Sequence, residues 1–371
     1  MLNIDSYSGT PGLIILTQDD FDHLSKKKNE GILNKTPKVK IYSMKKTAVI
    51  CDIASYLPER VLSNADLEKL VDTSDEWILT RTGIRERRIA ASDEYASSMG
   101  IKAAKNLFDK SSIRASDVEL VIAATMTPDY LCPCTASLIQ HGIGASHAAA
   151  FDIEAACSGF VYGLSVAKAF IESGMYSTIL LVATEKNSAF IDYTDRNTCV
   201  LFGDGAGAAL IRQGGTGLAV RSIHLEASGE EADLIKIPAG GSRLPASPTS
   251  FAEKQHSLKM NGKEVFKHAV RRMEEAMRIC LESASLTPAD IRWLVPHQAN
   301  LRIIDALSKR FDIPKEKVVI TLDRFANTSA STIPIALDLL QQEGKIQPAD
   351  LLMLTAIGGG LTWGAAVLEA I

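Results

Sequence analysis

No CxxC pair occurs in the 371-residue sequence, although it holds six cysteines: Cys51, Cys132, Cys134, Cys157, Cys199 and Cys280. Cys132 and Cys134 stand one residue apart, without a further Cys or His at zinc-finger distance, so no finger or metal site is expected. Disulfide frameworks belong mainly to small secreted chains. No secretory leader is expected either, because "GLIILT" is short and is followed by Asp19, Asp20 and Asp22. The expectation is a reduced, cytoplasmic protein. Excess charge is lacking too: 40 Lys and Arg face 44 Asp and Glu, a net −4. Nucleic-acid binders usually present a strongly basic face, and none is expected here. Long apolar runs are absent, and none approaches the ~18 residues that cross a bilayer. Aromatics make up only 6% of the chain.

Apolar residues of smaller size are plentiful, and hydrophobic residues reach 46%, enough for a sizeable core. Residues 1–43 are polar and carry the run Lys26-Lys27-Lys28. They read as a poorly ordered extension, with "MKKT" at Met44 resembling a second start. Their five acidic residues by Glu30 do not match the acid-poor composition of a transit peptide. Beyond residue 44, strands alternate with helices, which argues an α/β fold. "VELVIAATM" and "TILLVAT" are continuous apolar runs, as in strands covered on both faces. "LEKLVD" has the i, i+3, i+4 spacing of an amphipathic helix, and "VFKHAVRRMEEAMRICLESA" that of a longer one.

The chain also repeats itself. "LVIAATMTPD", "AAFDIEAACSGF", "TILLVATEKNS" and "FGDGAGAALI" are followed, in the same order, by "WLVPHQAN", "VVITLDRFANTSA", "LLMLTAIGGG" and "TWGAAVLEAI". Two duplicated βα halves, 44–215 and 216–371, are expected. The Gly-, Pro- and Ser-rich stretch from "EASGEE" to "EKQHS" is longer than an ordinary connection and reads as a functional or mobile loop.

Three polar residues fall at expected strand-to-helix junctions, where ligand sites gather in α/β folds. They are Cys157 in "AACSGF", His297 in "VPHQANLR" and Asn327 in "FANTSA". Singly, each has an ordinary reading: a buried thiol, a satisfied core histidine, a helix cap. Together they suit acyl chemistry. A thiol opening a helix feels the positive end of the macrodipole, so a lowered pKa is expected. His297 could assist the thiolate or polarise a carbonyl, with Asn327 donating a hydrogen bond beside it. "GDGAG" lacks G-x-G-x-x-G spacing and leads into "AALI", so it reads as a structural turn.

"AACSGF", "VPHQANLRII", "NTSA" and "GGGLTWGAA" resemble the active-site motifs of β-ketoacyl-acyl-carrier-protein synthase III, in the thiolase-like condensing-enzyme superfamily. The resemblance runs from about Thr47 to the C-terminus and takes in "YLPERVLSNADLEKLVDTSDEWILTRTGIRERRIA". It implies a thiolase-like fold with a five-layered α-β-α-β-α core. It implies condensation of an acyl-coenzyme A starter, acetyl first, with malonyl-acyl carrier protein, needing no metal and no cofactor beyond the coenzyme A thioester. Cys157 would carry the acyl group, while His297 and Asn327 would stabilise the enolate. The N–H groups of Cys157 and Gly359 would form the oxyanion hole.

The resemblance further assigns Trp77, Arg81, Arg196 and Asn300 to coenzyme A. It assigns Lys267, Arg302 and Lys309 to the acidic carrier protein, and it implies a homodimer. Arg85, Arg87 and Arg88 read as a solvated basic turn. Cys132 replaces a bulky aromatic that closes the acyl pocket from the partner subunit, leaving room for a longer or branched starter. Ile357 replaces a phenylalanine, and Asn197 a glycine. Three alternatives have weaker support. A cysteine hydrolase gains nothing from a coenzyme A platform. A binding protein on this fold would be expected to lack one of Cys157, His297 and Asn327. A synthase of a secondary metabolite has less use for the basic patch.

Overall fold

The computed structural model describes residues 47–371, and the extension expected over 1–43 lies outside the described residues. Nine strands build the main sheet: β1 Ala48–Tyr56, β2 Leu120–Ala124, β3 Ala149–Ile153, β4 Thr178–Glu185, β5 Gly205–Gln213, β6 Leu218–Ala227, β7 Trp293–Pro296, β8 Leu351–Gly358 and β9 Thr362–Ala370. Their order is β7-β8-β9-β6-β1-β5-β4-β2-β3. At the centre, β6 meets β1 through only two residue pairs, Val49 with Ala219 and Ile50 with Leu218.

The same arrangement runs outward from both sides of that narrow seam. One side proceeds β1, β5, β4, β2 through two antiparallel pairings and one parallel pairing. The other proceeds β6, β9, β8, β7 with the same senses. β3 then adds in parallel to the first series. Its counterpart in the second is a single parallel bridge, Leu294 to Val318.

The longer helices are α1 Asp75–Thr82, α2 Ala96–Phe108, α3 Thr135–Ile143, α4 Gly159–Ser173, α5 Gly262–Ala284, α6 Leu301–Arg310 and α7 Thr332–Gln342. Strand side chains alternate faces, so each strand set serves two cores. Leu120, Ile122 and Ala124 join Leu352, Leu354 and Ala356 in one central core with Phe160 and Leu164 of α4 and Ile333 and Leu337 of α7. Val121 and Ala123 face the other way, against α2 and α3. Met353, Ala365 and Val367 pack against α5 and α6. Helix, strand, helix, strand, helix is therefore the layering of the thiolase-like fold. Every residue of β2 and β4 is buried, as their unbroken apolar runs require. No described helix is long and apolar enough to cross a membrane.

Local structure departs from sequence periodicity in two places. The helix expected over "LEKLVD" is a four-residue turn, Asn64–Leu67, that stops where the pattern begins. Leu67 is buried and Val71 packs partly against the same core, but Leu70 is exposed, so the pattern has no full face to bury. Arg87, expected in a solvated turn, is fully buried. Its guanidinium donates to the Leu62 and Val200 carbonyls and to Asn64 Oδ1, each within 3.0 Å. These acceptors replace water and stitch β-bridged loops together, which is the physical reason for its burial. "GDGAG" forms a turn into β5, with Asp204 accepting from the Ala90 and Ser188 N–H groups.

Candidate active site

Cys157 sits between β3 and α4 in a short turn, Ala156–Ser158. Ala156 holds φ at 44°, a conformation uncommon for a residue with a Cβ. The sharp turn directs the next residue into a cavity of about 870 Å³. Across from it, β8 ends in Gly358. A Cβ there would lie 2.5 Å from Cys157 N and 3.0 Å from Ala155 O, so only glycine permits this approach. Gly359 follows and lines the cavity beside Cys157.

His297 is the first residue after β7, only 1% exposed, with its N–H held by the Thr355 carbonyl at 2.8 Å. Its Nδ1 lies 2.7 Å from the Thr332 hydroxyl, which also lies 3.1 Å from the Ser329 carbonyl. Burial pushes the imidazole pKa down to about 3, so the ring is neutral near neutral pH. Asn327 follows Ala326, whose φ is 58°. Its Oδ1 accepts from the Ser329 N–H at 2.8 Å, leaving the NH2 end as donor toward the cavity. This is a local Asx turn and not the expected helix cap, because α7 begins five residues later.

The thiol differs from expectation. Burial is the main influence on Cys157, and it pushes the pKa up to about 12. The helix N-terminus favours thiolate, but removal from water favours the thiol more strongly, and burial wins. The neighbouring Ser329 hydroxyl opposes the rise, and the Glu185 carboxylate adds to it.

The cavity also holds Trp77, Arg81, Asn300 and Arg302. Arg81 and Arg196 each place a guanidinium 4.8 Å from the Trp77 ring centroid, a cation–π stack. Arg196 donates to the Asp72 carbonyl at 2.9 Å and does not itself line the cavity. Asn300 caps α6 by accepting from the Arg302 N–H, and its NH2 donates to the Arg81 carbonyl at 3.1 Å. Lys267 and Lys309 are exposed outside the lining, with Lys267 paired to Glu264 at 2.7 Å. Cys132 is exposed and lies outside the cavity of its own chain.

Sequence reasoning missed several lining residues. Ile235 and Leu258 come from the Gly/Pro-rich connection and its end, which thus forms part of the cavity wall. It also missed Glu185, Ser329 and Thr332. A signal for Glu185 existed: an acid closing the otherwise apolar strand "TILLVATE".

Family models for 3-oxoacyl-[acyl-carrier-protein] synthase III match residues 151–229, and those for its C-terminal part match residues 281–370. The β-ketoacyl-[acyl-carrier-protein] synthase III of Chlamydia caviae is 55% identical over 325 residues, 87% of this chain and 97% of that protein. The enzyme of that name from Clostridioides difficile is 49% identical, over 88% and 99%. The crystal structure of 3-oxoacyl-[acyl-carrier-protein] synthase III from Aquifex aeolicus superposes with a TM-score of 0.80 at 44% identity, covering 87% of this chain and 99% of that one. With half of its aligned residues shared, its fold matched and its thiol, imidazole and amide gathered in one cavity, the chain belongs to the β-ketoacyl-acyl-carrier-protein synthase III family of thiolase-like condensing enzymes.

Proposed function

We propose that Cys157, His297 and Asn327 divide between them the two steps of the family reaction, in which acyl-coenzyme A and malonyl-acyl carrier protein condense to start fatty-acid synthesis. The observation that carries this reading is their convergence on one cavity that also holds Trp77 and Arg81. In the first step the Cys157 sulfur attacks the starter thioester and keeps the acyl group, exchanging one thioester for another. The Cys157 and Gly359 N–H groups hold the oxyanion, which explains why Gly358 has no room for a Cβ.

In the second step the malonyl group loses CO2, and its electrons form an enolate. His297 Nε2 and Asn327 Nδ2 donate to the enolate oxygen, and the enolate carbon attacks the acyl-Cys157 carbonyl. A neutral imidazole has a single N–H. The Thr332 hydroxyl, 2.7 Å from Nδ1, fixes the plane of the ring, and this step uses the tautomer with its hydrogen on Nε2. The starter is a short acyl group, acetyl first, with Cys132 leaving room for a longer one.

Trp77, Arg81, Arg196 and Asn300 receive coenzyme A, and the guanidinium–indole stack opens to admit the adenine ring. Arg302 and Lys309, seven residues apart on α6, present positive charge to the carrier protein with Lys267 of α5. The protein acts as a cytoplasmic homodimer. Supporting the dimer, β3 is a sheet edge with only partly covered side chains, and Leu131 nearby is 87% exposed.

Intact-mass measurement tests the division of labour. Cys157→Ser abolishes acyl transfer from acetyl-coenzyme A. His297→Ala still forms the acyl-enzyme, but CO2 release from malonyl-acyl carrier protein falls ~10²–10³-fold, as when an oxyanion donor is removed. Wild-type CO2 release from the His297 variant would refute the assignment.

A further inference from the structure

We infer that Ser329 and Glu185 form the proton relay that activates Cys157, running from the thiol to the Ser329 hydroxyl and on to Glu185 Oε1. This rests on the reading of Cys157 as acyl carrier and adds the destination of its proton, which that reading leaves open.

Glu185 is the last residue of β4 and is fully buried. Its carboxyl accepts from the Thr127 hydroxyl at 2.6 Å, the Thr125 hydroxyl at 3.2 Å and the Met126 N–H at 3.2 and 3.3 Å. Ser329 Oγ donates to its other oxygen, Oε1, at 3.0 Å. The Ser329–Ser331 turn packs on the Ala156–Ser158 turn, and the same hydroxyl is near enough to Cys157 to act on its thiol. A hydroxyl has one hydrogen and two lone pairs, so while it donates to Glu185 it can accept from the thiol. Thiol, hydroxyl and carboxylate therefore stand in series.

A buried carboxyl without a countercharge is costly unless it has work to do or is neutral. Among the described residues Glu185 forms no ion pair, and the largest influences on its charge are burial and hydrogen bonds from neutral groups. The adjacent Lys186 turns its ammonium to the Ala91 and Glu94 carbonyls. The other titratable groups around the relay are Cys157, Glu154 beside it, His297 across the cavity, and Asp204, tied to Ala90 and Ser188. Burial pushes Glu185 up to about 7, near the pH at which it would work. His297, pushed down to about 3, is a far poorer proton acceptor.

The proton count closes. As the Cys157 sulfur bonds the acyl carbon, its proton passes to Ser329 Oγ, and the Ser329 proton passes to Glu185. The bond from acyl carbon to coenzyme A sulfur breaks, and the departing thiolate takes a proton from water at the cavity mouth. In condensation the malonyl C–CO2 bond breaks and the enolate carbon bonds the acyl carbon. The Cys157 thiolate then leaves and recovers the proton from Glu185 through Ser329. One solvent proton is consumed per turnover, as decarboxylation requires.

The test is single-turnover acylation of the full-length protein by acetyl-coenzyme A, followed by intact mass from pH 5.5 to 9. Wild type, Glu185→Gln and Ser329→Ala are compared, with thermal melting to verify folding. Wild-type acylation rises through an inflection near pH 7. Both variants slow ~10²-fold, the usual contribution of a general base, and lose that inflection. If Glu185→Gln does not fold, Ser329→Ala, which removes a single oxygen, decides alone. A folded variant that keeps the wild-type rate and inflection overturns the relay and leaves acyl-Cys157 standing. A wild-type protein that never acquires the acyl mass on Cys157 overturns the nucleophile assignment and the relay with it.

Discussion

The two strand series on either side of the seam share one order, yet they end in opposite chemistry. In the first, Ala156 at φ 44° turns the chain from β3 into Cys157. In the second, Ala326 at φ 58° turns it into Asn327. Both turns open into the same cavity. At the next matching strand end, β4 closes on Glu185 and β8 on Gly358. The first residue after β2 is Thr125, which serves the Glu185 carboxyl, whereas the first after β7 is His297. Two strand series of one order thus supply paired, sharply turned junctions, and the two sides differ in the side chains those junctions carry. One side holds a thiol and an acid, and the other holds an imidazole, an amide and a glycine.

The largest effect should come from the strand end where the two sides differ most in size. Gly358→Ala adds a Cβ 2.5 Å from Cys157 N, and the backbone atoms there cannot yield cheaply. A displacement of ~1 Å in the nucleophile costs ~10²-fold in rate. The variant should therefore lose about that factor in acylation and also melt earlier. Full acylation in Gly358→Ala would show that close approach of β8 to the Cys157 turn is not what this position provides.

A smaller effect sharpens the contrast between an acid served by hydroxyls and an imidazole served by one. Thr332→Val keeps the shape but removes the partner of His297 Nδ1. Losing one such hydrogen bond costs ~1 kcal/mol, or about fivefold when expressed in the transition state. CO2 release should fall by about fivefold and acylation by less, with Thr332→Ser restoring both. Equal losses in the two steps would mean that Thr332 supports the cavity generally and does not orient the imidazole.

Much of this comparison was legible in the sequence because junction residues are punctuated by small neighbours. "AACSG" and "FANTSA" each place alanine before the functional residue, and glycine runs mark the end of β8. The order of apolar runs was enough to anticipate two strand series of one order. The rest was hidden for physical reasons. Glu185 ends a strand, a position where an acid ordinarily meets solvent, and only the loops of Thr127 and Ser329, 58 and 144 residues away, enclose it. Arg87 sits among other arginines, and its burial depends on acceptors as distant as Val200. The thiol pKa followed from a local helix in sequence, whereas burial is a property of the assembled layers.

The smallest effect concerns stability and separates the acid side from the imidazole side by sign. The slope of unfolding free energy with pH follows the protons bound by the unfolded chain minus those bound by the folded one. For His297 the folded pKa is about 3 against an ordinary 6.5, so the unfolded chain binds more protons between those values and stability falls as pH drops. For Glu185 the folded pKa is about 7 against an ordinary 4.5, so the folded chain binds more and stability falls as pH rises. The two slopes oppose each other between pH 4.5 and 6.5. Glu185→Gln removes one of them. Urea unfolding at pH 5 and pH 7 should then show the variant gaining stability relative to wild type across that interval, by about 2 kcal/mol for a shift of this size. Identical changes in the two proteins would mean that Glu185 is ionised in the folded state at pH 5, and the acid side would then be a fixed charge and not a proton store.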